Sequence, residues 1–170
     1  NINSLRNKYG YIYEILNLKI FDILCVSETK IDSSFPDMQF QIPQFRMYRL
    51  DRNQYGGGLI VYVRSDIPSR IRNDIQPLHH ELEILPVECT IKKVKWCLLF
   101  AYKPPKMPNK NFAESMYKIT DILCTDYSHI LVGGDLNLDL LHQQKGKPLR
   151  DLCDTFDLRN LITKPTCFTQ

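Results

Sequence analysis

The chain has 170 residues, enough for one domain with a buried core, and its 44% hydrophobic and 24% charged content is that of an ordinary soluble globular protein. Its 22 basic and 19 acidic residues leave a net charge of +3, which permits nucleic-acid binding without announcing it. Charges interrupt every apolar run short of membrane-spanning length, no signal peptide is visible because Arg6-Asn7-Lys8 follows a strand-like fragment and not an apolar h-region, and 6 cysteines without Cys-x-x-Cys spacing argue against structural zinc.

In chain order, Asn1-Ile2-Asn3-Ser4-Leu5 alternates two amides with apolar residues. Tyr9, Ile12, Tyr13 and Leu16 have helical spacing and predict an amphipathic helix. A strand is expected over Ile20–Ser27, and Ile23 to Val26 has the near-continuous apolarity of a strand covered on both faces. It ends at Glu28-Thr29-Lys30. A glutamate there is badly placed for packing and well placed to hold a hard divalent cation through oxygen, the alternative being an exposed residue that opens a loop. Strands are expected at Met47–Asp51 and Gly58–Arg64, joined by a hairpin turn from Gln54 to Gly58. His79-His80-Glu81 is not a metal site on this reading, because adjacent residues of an extended segment face opposite ways.

Two further strands are expected at Glu83–Ile91 and Lys95–Tyr102. Pro104-Pro105 stops the second and leaves the Tyr102 phenol at its edge, where a tyrosine is either an amphipathic core residue or functional. Phe112, Met116, Ile119 and Leu123 predict a second helix. A strand over His129–Gly133 stops at Gly133-Gly134-Asp135-Leu136-Asn137. Residues i and i+2 of an extended segment share a side, so Asp135 and Asn137 can face one reaction centre, and the glycines allow close approach; a simple turn is the alternative. A carboxylate beside an amide suits a reaction in which water is oriented and an anionic phosphate is held. Leu149, Leu152, Cys153 and Phe156 predict a third helix, with Gly146 before it and Pro148 in its first turn.

Basic residues cluster at Arg46, Arg49 and Arg52, at Lys92, Lys93 and Lys95, at Lys103, Lys106 and Lys110, and at Lys145, Lys147 and Arg150. Each cluster reads as solvated surface, except that Lys103 and Lys106 follow Tyr102 and would border the same site. Cys25, Cys89 and Cys97 lie in strand-like contexts and Cys124 and Cys153 at helical apolar positions, the pattern of reduced, buried thiols in a cytosolic or nuclear protein. Helices interleaved with strands, some in hairpins, indicate an α/β domain of two packed mixed β-sheets flanked by helices.

Asn1-Ile2-Asn3-Ser4-Leu5, Ser27-Glu28-Thr29, Ala101-Tyr102 and Gly134-Asp135-Leu136-Asn137, in this order, resemble the motifs of the endonuclease/exonuclease/phosphatase superfamily. A narrower resemblance is to the endonuclease domain of non-LTR retrotransposons, carried by Tyr55 to Arg64 with its glycine triplet and by Asp157 to Thr166. Cys167 departs from it, where that branch often has Arg. The resemblance implies a four-layer α/β sandwich and a Mg²⁺ (or Mn²⁺) cofactor held by Glu28, with Asn1 or Asn3 beside it. It implies that Asp135 orients or activates water, Asn137 donates to the phosphoryl group, Tyr102 stabilises developing charge, and Lys103 and Lys106 contact substrate. DNA is the implied partner, no membrane is, and a fused reverse transcriptase is expected in the parent polyprotein, in the nucleus or cytoplasm.

The superfamily's late Asp and terminal Asp-His pair have no counterpart here, since His142 sits too close to Asp135. The chain also begins at the motif Asn, without Met. Residues 1–170 are therefore expected to be a partial domain, incomplete at the N- and C-termini, and inactive as a fragment. The alternatives are a non-catalytic relic, or a phosphatase or phosphodiesterase of the same superfamily acting on a phosphoester that is not nucleic acid.

Overall fold

Side-chain alternation along a few long strands sets the layers of this molecule. The computed structural model describes residues 1–140, 142–164 and 166. In chain order it contains α1 (Tyr9–Asn17), β1 (Ile23–Ser27), a short 3-10 turn (Asp37–Gln39), β2 (Phe45–Leu50), β3 (Leu59–Arg64), β4 (Ser69–Ile71), β5 (Glu83–Ile91), β6 (Val94–Tyr102), α2 (Asn109–Asp126), β7 (Ile130–Asp135) and α3 (Lys147–Thr155). The first sheet has the order β1-β3-β2 with antiparallel pairs; the second has the order β4-β5-β6-β7 and is mixed, because β6 and β7 run parallel.

Along β3, Ile60 and Tyr62 face α1 and pack with Ile12, Leu16 and Val26. Leu59, Val61 and Val63 face the other way and meet Leu85, Val87, Leu98 and Phe100 between the sheets. On the far side of β6, Cys97, Leu99 and Ala101 pack under α2. The predicted stripe Phe112, Met116, Ile119 and Leu123 is the buried face of that helix, each at 0% exposure, which stabilises the fold by roughly 1.5–3 kcal/mol per side chain. The layers are thus α1, first sheet, second sheet, and α2 with α3: the expected four-layer α/β sandwich. Both faces of β1 are covered, Leu24 and Val26 on one and Ile23 and Cys25 on the other.

Several boundaries move for local reasons. β1 begins at Ile23 and not Ile20, because Lys19 takes a left-handed φ of 58° and Ile20 is exposed. Lys92 and Lys93 both take positive φ and form the two-residue turn between β5 and β6, where Ile91 pairs with Val94; this basic cluster is hairpin geometry. β7 runs past Gly133 to Asp135. β4 escaped the sequence reading, since three residues show no usable alternation. Cys89 and Cys97 are buried as expected, but Cys124 is exposed and Cys25 and Cys153 are half-buried. Pro165 and Cys167 lie outside the described residues. No helix among the described residues is long and apolar enough to cross a membrane.

Candidate active site

The strand ends Ser27, Tyr102 and Asp135 meet at one edge of the sandwich. Parallel pairing of β6 with β7 sets Tyr102 opposite Asp135. Beyond the strand, the Lys103 N–H donates to the Asp135 carbonyl at 2.9 Å, and Asn137 Nδ2 donates to the Lys103 carbonyl at 2.9 Å. The Asn137 N–H points back at Asp135 Oδ1, 3.3 Å away. Asp135 and Asn137 are therefore held as a pair by the backbone of the Tyr102 loop.

The N-terminal segment lies along the end of β1. Ile2 N–H donates to the Ser27 carbonyl at 2.9 Å, Ser4 N–H to that of Glu28 at 2.9 Å and Leu5 N–H to that of Thr29 at 2.8 Å. This places the two amides differently. Asn1 Nδ2 donates to Asp135 Oδ2 at 2.7 Å, while Asn1 Oδ1 accepts the Asn3 N–H at 3.0 Å. Asn3 instead offers its amide oxygen to the Lys30 ammonium. Glu28 Oε1 accepts the Tyr102 hydroxyl at 2.7 Å, and its Oε2 lies 3.6 Å from Lys30 Nζ. Asn1, Asn3, Glu28, Tyr102, Asp135 and Asn137 thus lie within one polar network that spans both sheets.

The backbone at this edge is strained. Asn3, Glu28, Lys30 and Asn137 take φ of 49°, 56°, 52° and 46°; for a glutamate or lysine this region is uncommon, and such conformations cost about 1–3 kcal/mol each and concentrate at functional sites. Burial, and then the bond to Glu28, push the Tyr102 phenol well above the usual tyrosine range, so it is a neutral donor at any physiological pH.

Lys106 is exposed, as a substrate contact requires. Lys103 is not: its residue is 2% exposed, and burial holds its amine below the usual lysine range. Three residues not expected in the site lie against the network: Lys30, Glu83, and Arg52, which was read as solvated surface. Lys30 follows Glu28 by two residues, but both take left-handed φ, so extended-strand alternation could not have placed it in the site. Glu83, a carboxylate at the buried start of an apolar strand, did carry a signal. His79 hydrogen-bonds Glu114 at 3.0 Å and His80 is exposed, so the His-His-Glu run stays outside the site.

The donor set fits a hard cation. Glu28 Oε2 and Asn3 Oδ1 already converge on a positive charge, the Lys30 ammonium. Among the described residues no three His, Cys, Asp or Glu side chains form a metal cage. One carboxylate with amide oxygens is the kind of set Mg²⁺ accepts, because that ion keeps several waters.

No protein-family model matches the sequence, and no curated protein is similar to it in sequence. Solved structures are similar in fold. The endonuclease domain of TRAS1, a telomere-specific non-LTR retrotransposon, superposes with a TM-score of 0.70 at 12% identity over 92% of this chain and 69% of that one. An AP endonuclease from Archaeoglobus fulgidus gives 0.65 at 15% identity over 91% and 68%, and truncated Caenorhabditis elegans TDP2 gives 0.59 at 18% over 82% and 60%. The chain spans less than two thirds of this last protein's length. Identities this low speak to architecture alone, and on that ground the chain carries the fold of the endonuclease/exonuclease/phosphatase superfamily.

Proposed function

We propose that this chain carries the metal-side half of a divalent-metal-dependent phosphodiesterase site that acts on DNA, as in the endonuclease domain of a non-LTR retrotransposon. The observation that carries the reading is the pair of bonds Tyr102–Glu28 and Asn1–Asp135, at 2.7 Å each. They bring Glu28, just beyond β1, and Asp135, at the end of β7, to one edge, which supports reading the first as the cation ligand and the second as the group that orients water. The similarity in fold to the TRAS1 endonuclease domain and the archaeal AP endonuclease supports the choice of DNA as substrate.

Glu28, with the Asn3 or Asn1 amide oxygen beside it, would hold Mg²⁺ (or Mn²⁺), which supplies Lewis-acid charge to a phosphoryl oxygen. Asp135 accepts a proton from the attacking water, and the Asn1 amide on its Oδ2 fixes its orientation. Asn137 offers N–H hydrogens to the phosphoryl group from a loop pinned to the Lys103 backbone. Tyr102, un-ionised, donates toward developing negative charge. Lys106 meets the phosphate backbone from the rim, and Lys103, once a phosphate is near, supplies a poorly solvated ammonium from beneath. In this reading residues 1–170 are part of the domain, fused in the parent polyprotein to a reverse transcriptase and working in the nucleus or cytoplasm.

A second reading, a non-catalytic relic on the same fold, is favoured by one observation. Among the described residues no imidazole hydrogen-bonds Glu28, Tyr102, Asp135 or Asn137, and His142 Nδ1 instead accepts the Gln144 and Lys145 N–H groups at 3.2 and 3.3 Å. Supercoiled-plasmid nicking in Mg²⁺, run on residues 1–170 and on the full natural reading frame, separates the two. The phosphodiesterase reading expects nicking by the full reading frame that Glu28→Gln removes. Absence of nicking there, with intact fold, supports the relic.

A further inference from the structure

The turn between β2 and β3 holds the backbone that carries Glu28. Thr29 N–H donates to the Gly58 carbonyl at 3.3 Å and Lys30 N–H to that of Gly57 at 3.0 Å. The same turn is gripped from the other sheet. Glu83, the first residue of β5, is 6% exposed. Its Oε2 accepts the Gly58 N–H at 2.6 Å and its Oε1 accepts Arg52 Nη1 at 3.0 Å. Glu83 also stands opposite Tyr102 in the β5–β6 ladder, and the Arg52 guanidinium lies 6.0 Å from the centre of the Tyr102 ring.

The fit leaves no room for side chains on the turn. A Cβ on Gly57 would lie 2.2 Å from Glu83 Oε1, and one on Gly58 would lie 2.2 Å from Thr29 Oγ1, with φ at +71° and +89°. The glycines read in the sequence as a hairpin signal are thus also what admits the carboxylate. The Arg52 side chain is 39% exposed, and an ion pair so open to water adds little stability, so pairing with Arg52 alone does not account for a glutamate buried here.

We propose that Glu83 is a positioning residue: its carboxylate clamps the Gly57–Gly58 turn of the first sheet to the second sheet and thereby holds Glu28 against Tyr102. The path runs from Glu83 to Gly58 to Thr29 on one side, and along the ladder from Glu83 to Tyr102 on the other. For its functional consequence the proposal rests on Glu28 being the cation ligand. Partners of ligating groups commonly matter 10- to about 100-fold in metal affinity.

Two conservative variants separate position from charge. Glu83→Asp keeps the charge but withdraws it by one methylene from Gly58; Glu83→Gln keeps the reach but removes the charge. Val87→Ala, on the same strand and facing the same interior, controls for general loosening. The first readout is amide hydrogen exchange at Thr29 and Lys30 without ligand. The clamp predicts exchange about tenfold faster or more in Glu83→Asp, near wild type in Glu83→Gln, and no selective change in Val87→Ala. Unchanged protection in Glu83→Asp, or equal loss in all three, overturns the clamp. The second readout is Mn²⁺ binding followed by electron paramagnetic resonance, expected to weaken about tenfold or more in Glu83→Asp and less than about threefold in Glu83→Gln. The reverse order would show that charge and not position matters, and overturns the proposal. A wild-type protein that binds no Mn²⁺ overturns the phosphodiesterase reading instead, and the clamp is then decided by exchange alone.

Discussion

Gly134 is where the fold and the candidate site depend on the absence of a single carbon. Its φ is +128°, and a Cβ built there would lie 2.0 Å from the Ala101 carbonyl oxygen and 2.9 Å from the Ala101 carbonyl carbon and nitrogen. These are backbone atoms of the last pair but one in the parallel β6–β7 ladder, so no side chain can swing away. Gly134→Ala therefore adds backbone strain of about 1–3 kcal/mol and overpacking of about 1–3 kcal/mol. A total of about 3 kcal/mol corresponds to a fall in Tm of about 6–12 °C for a domain of this size. The adjacent Gly133 is the matched control: its Cβ would meet Leu131 at 3.7 Å, an ordinary contact, with no left-handed φ. Gly133→Ala should melt within about 2 °C of wild type. Because Ala101 pairs with Gly134 directly beside the Tyr102–Asp135 pair, Gly134→Ala should also free the Lys103 amide to exchange. Thermal unfolding by circular dichroism measures the first effect. Equal melting temperatures for the two alanine variants would refute the argument.

Four further outcomes are expected. Asp135→Ala in the full reading frame should abolish nicking, a loss of about a hundredfold or more, while leaving the circular dichroism spectrum unchanged; near-normal turnover would remove Asp135 from the proposed role. Residues 1–170 alone should bind duplex DNA weakly, with affinity falling steeply between low and physiological salt, and should not nick it; salt-independent binding in a filter assay would contradict this. Lys103→Met removes a buried ammonium that the fold desolvates, so it should raise Tm while weakening DNA binding; lower Tm would show that the amine is satisfied. Glu88, held down to about 2 from its ordinary 4.5 by Arg70 and Tyr127, stabilises the fold above its unfolded value and loses that contribution as pH falls toward about 2. The gap in Tm between wild type and Glu88→Gln should therefore shrink from pH 6 to pH 2.5, and a constant gap would contradict the assignment.

Much of the architecture was legible because its signals are local. The stripe from Phe112 to Leu123 obeys one helical period, and the boundaries expected for Glu83–Ile91 are those observed. Gly134-Asp135-Leu136-Asn137 was visible as an abrupt end to an apolar run, and the structure does bring Asp135 and Asn137 together, though by hydrogen bonds across a left-handed Asn137 beyond β7 and not by extended-strand alternation. What stayed hidden depends on distant partners. Nothing near Glu83 shows that it will meet Gly58, and nothing near Lys103 shows that it will be buried while Lys106 is exposed. Cys124 shows the limit of periodicity: it lies on a helix beside a buried stripe, yet its own direction is outward.

The Asn1–Asp135 bond joins residues 134 positions apart, and that separation has a kinetic meaning. Closing so long a loop carries an entropic cost that neighbouring contacts must already have met, and β7 can pair with β6 only after the α2 crossover has folded back. Long-range parallel pairing of this kind forms slowly. The polar network at the strand ends is therefore among the last parts of the domain to assemble. A probe placed on Asn1 or Asp135 would report completion of folding, whereas one on the α2 stripe would report only its start.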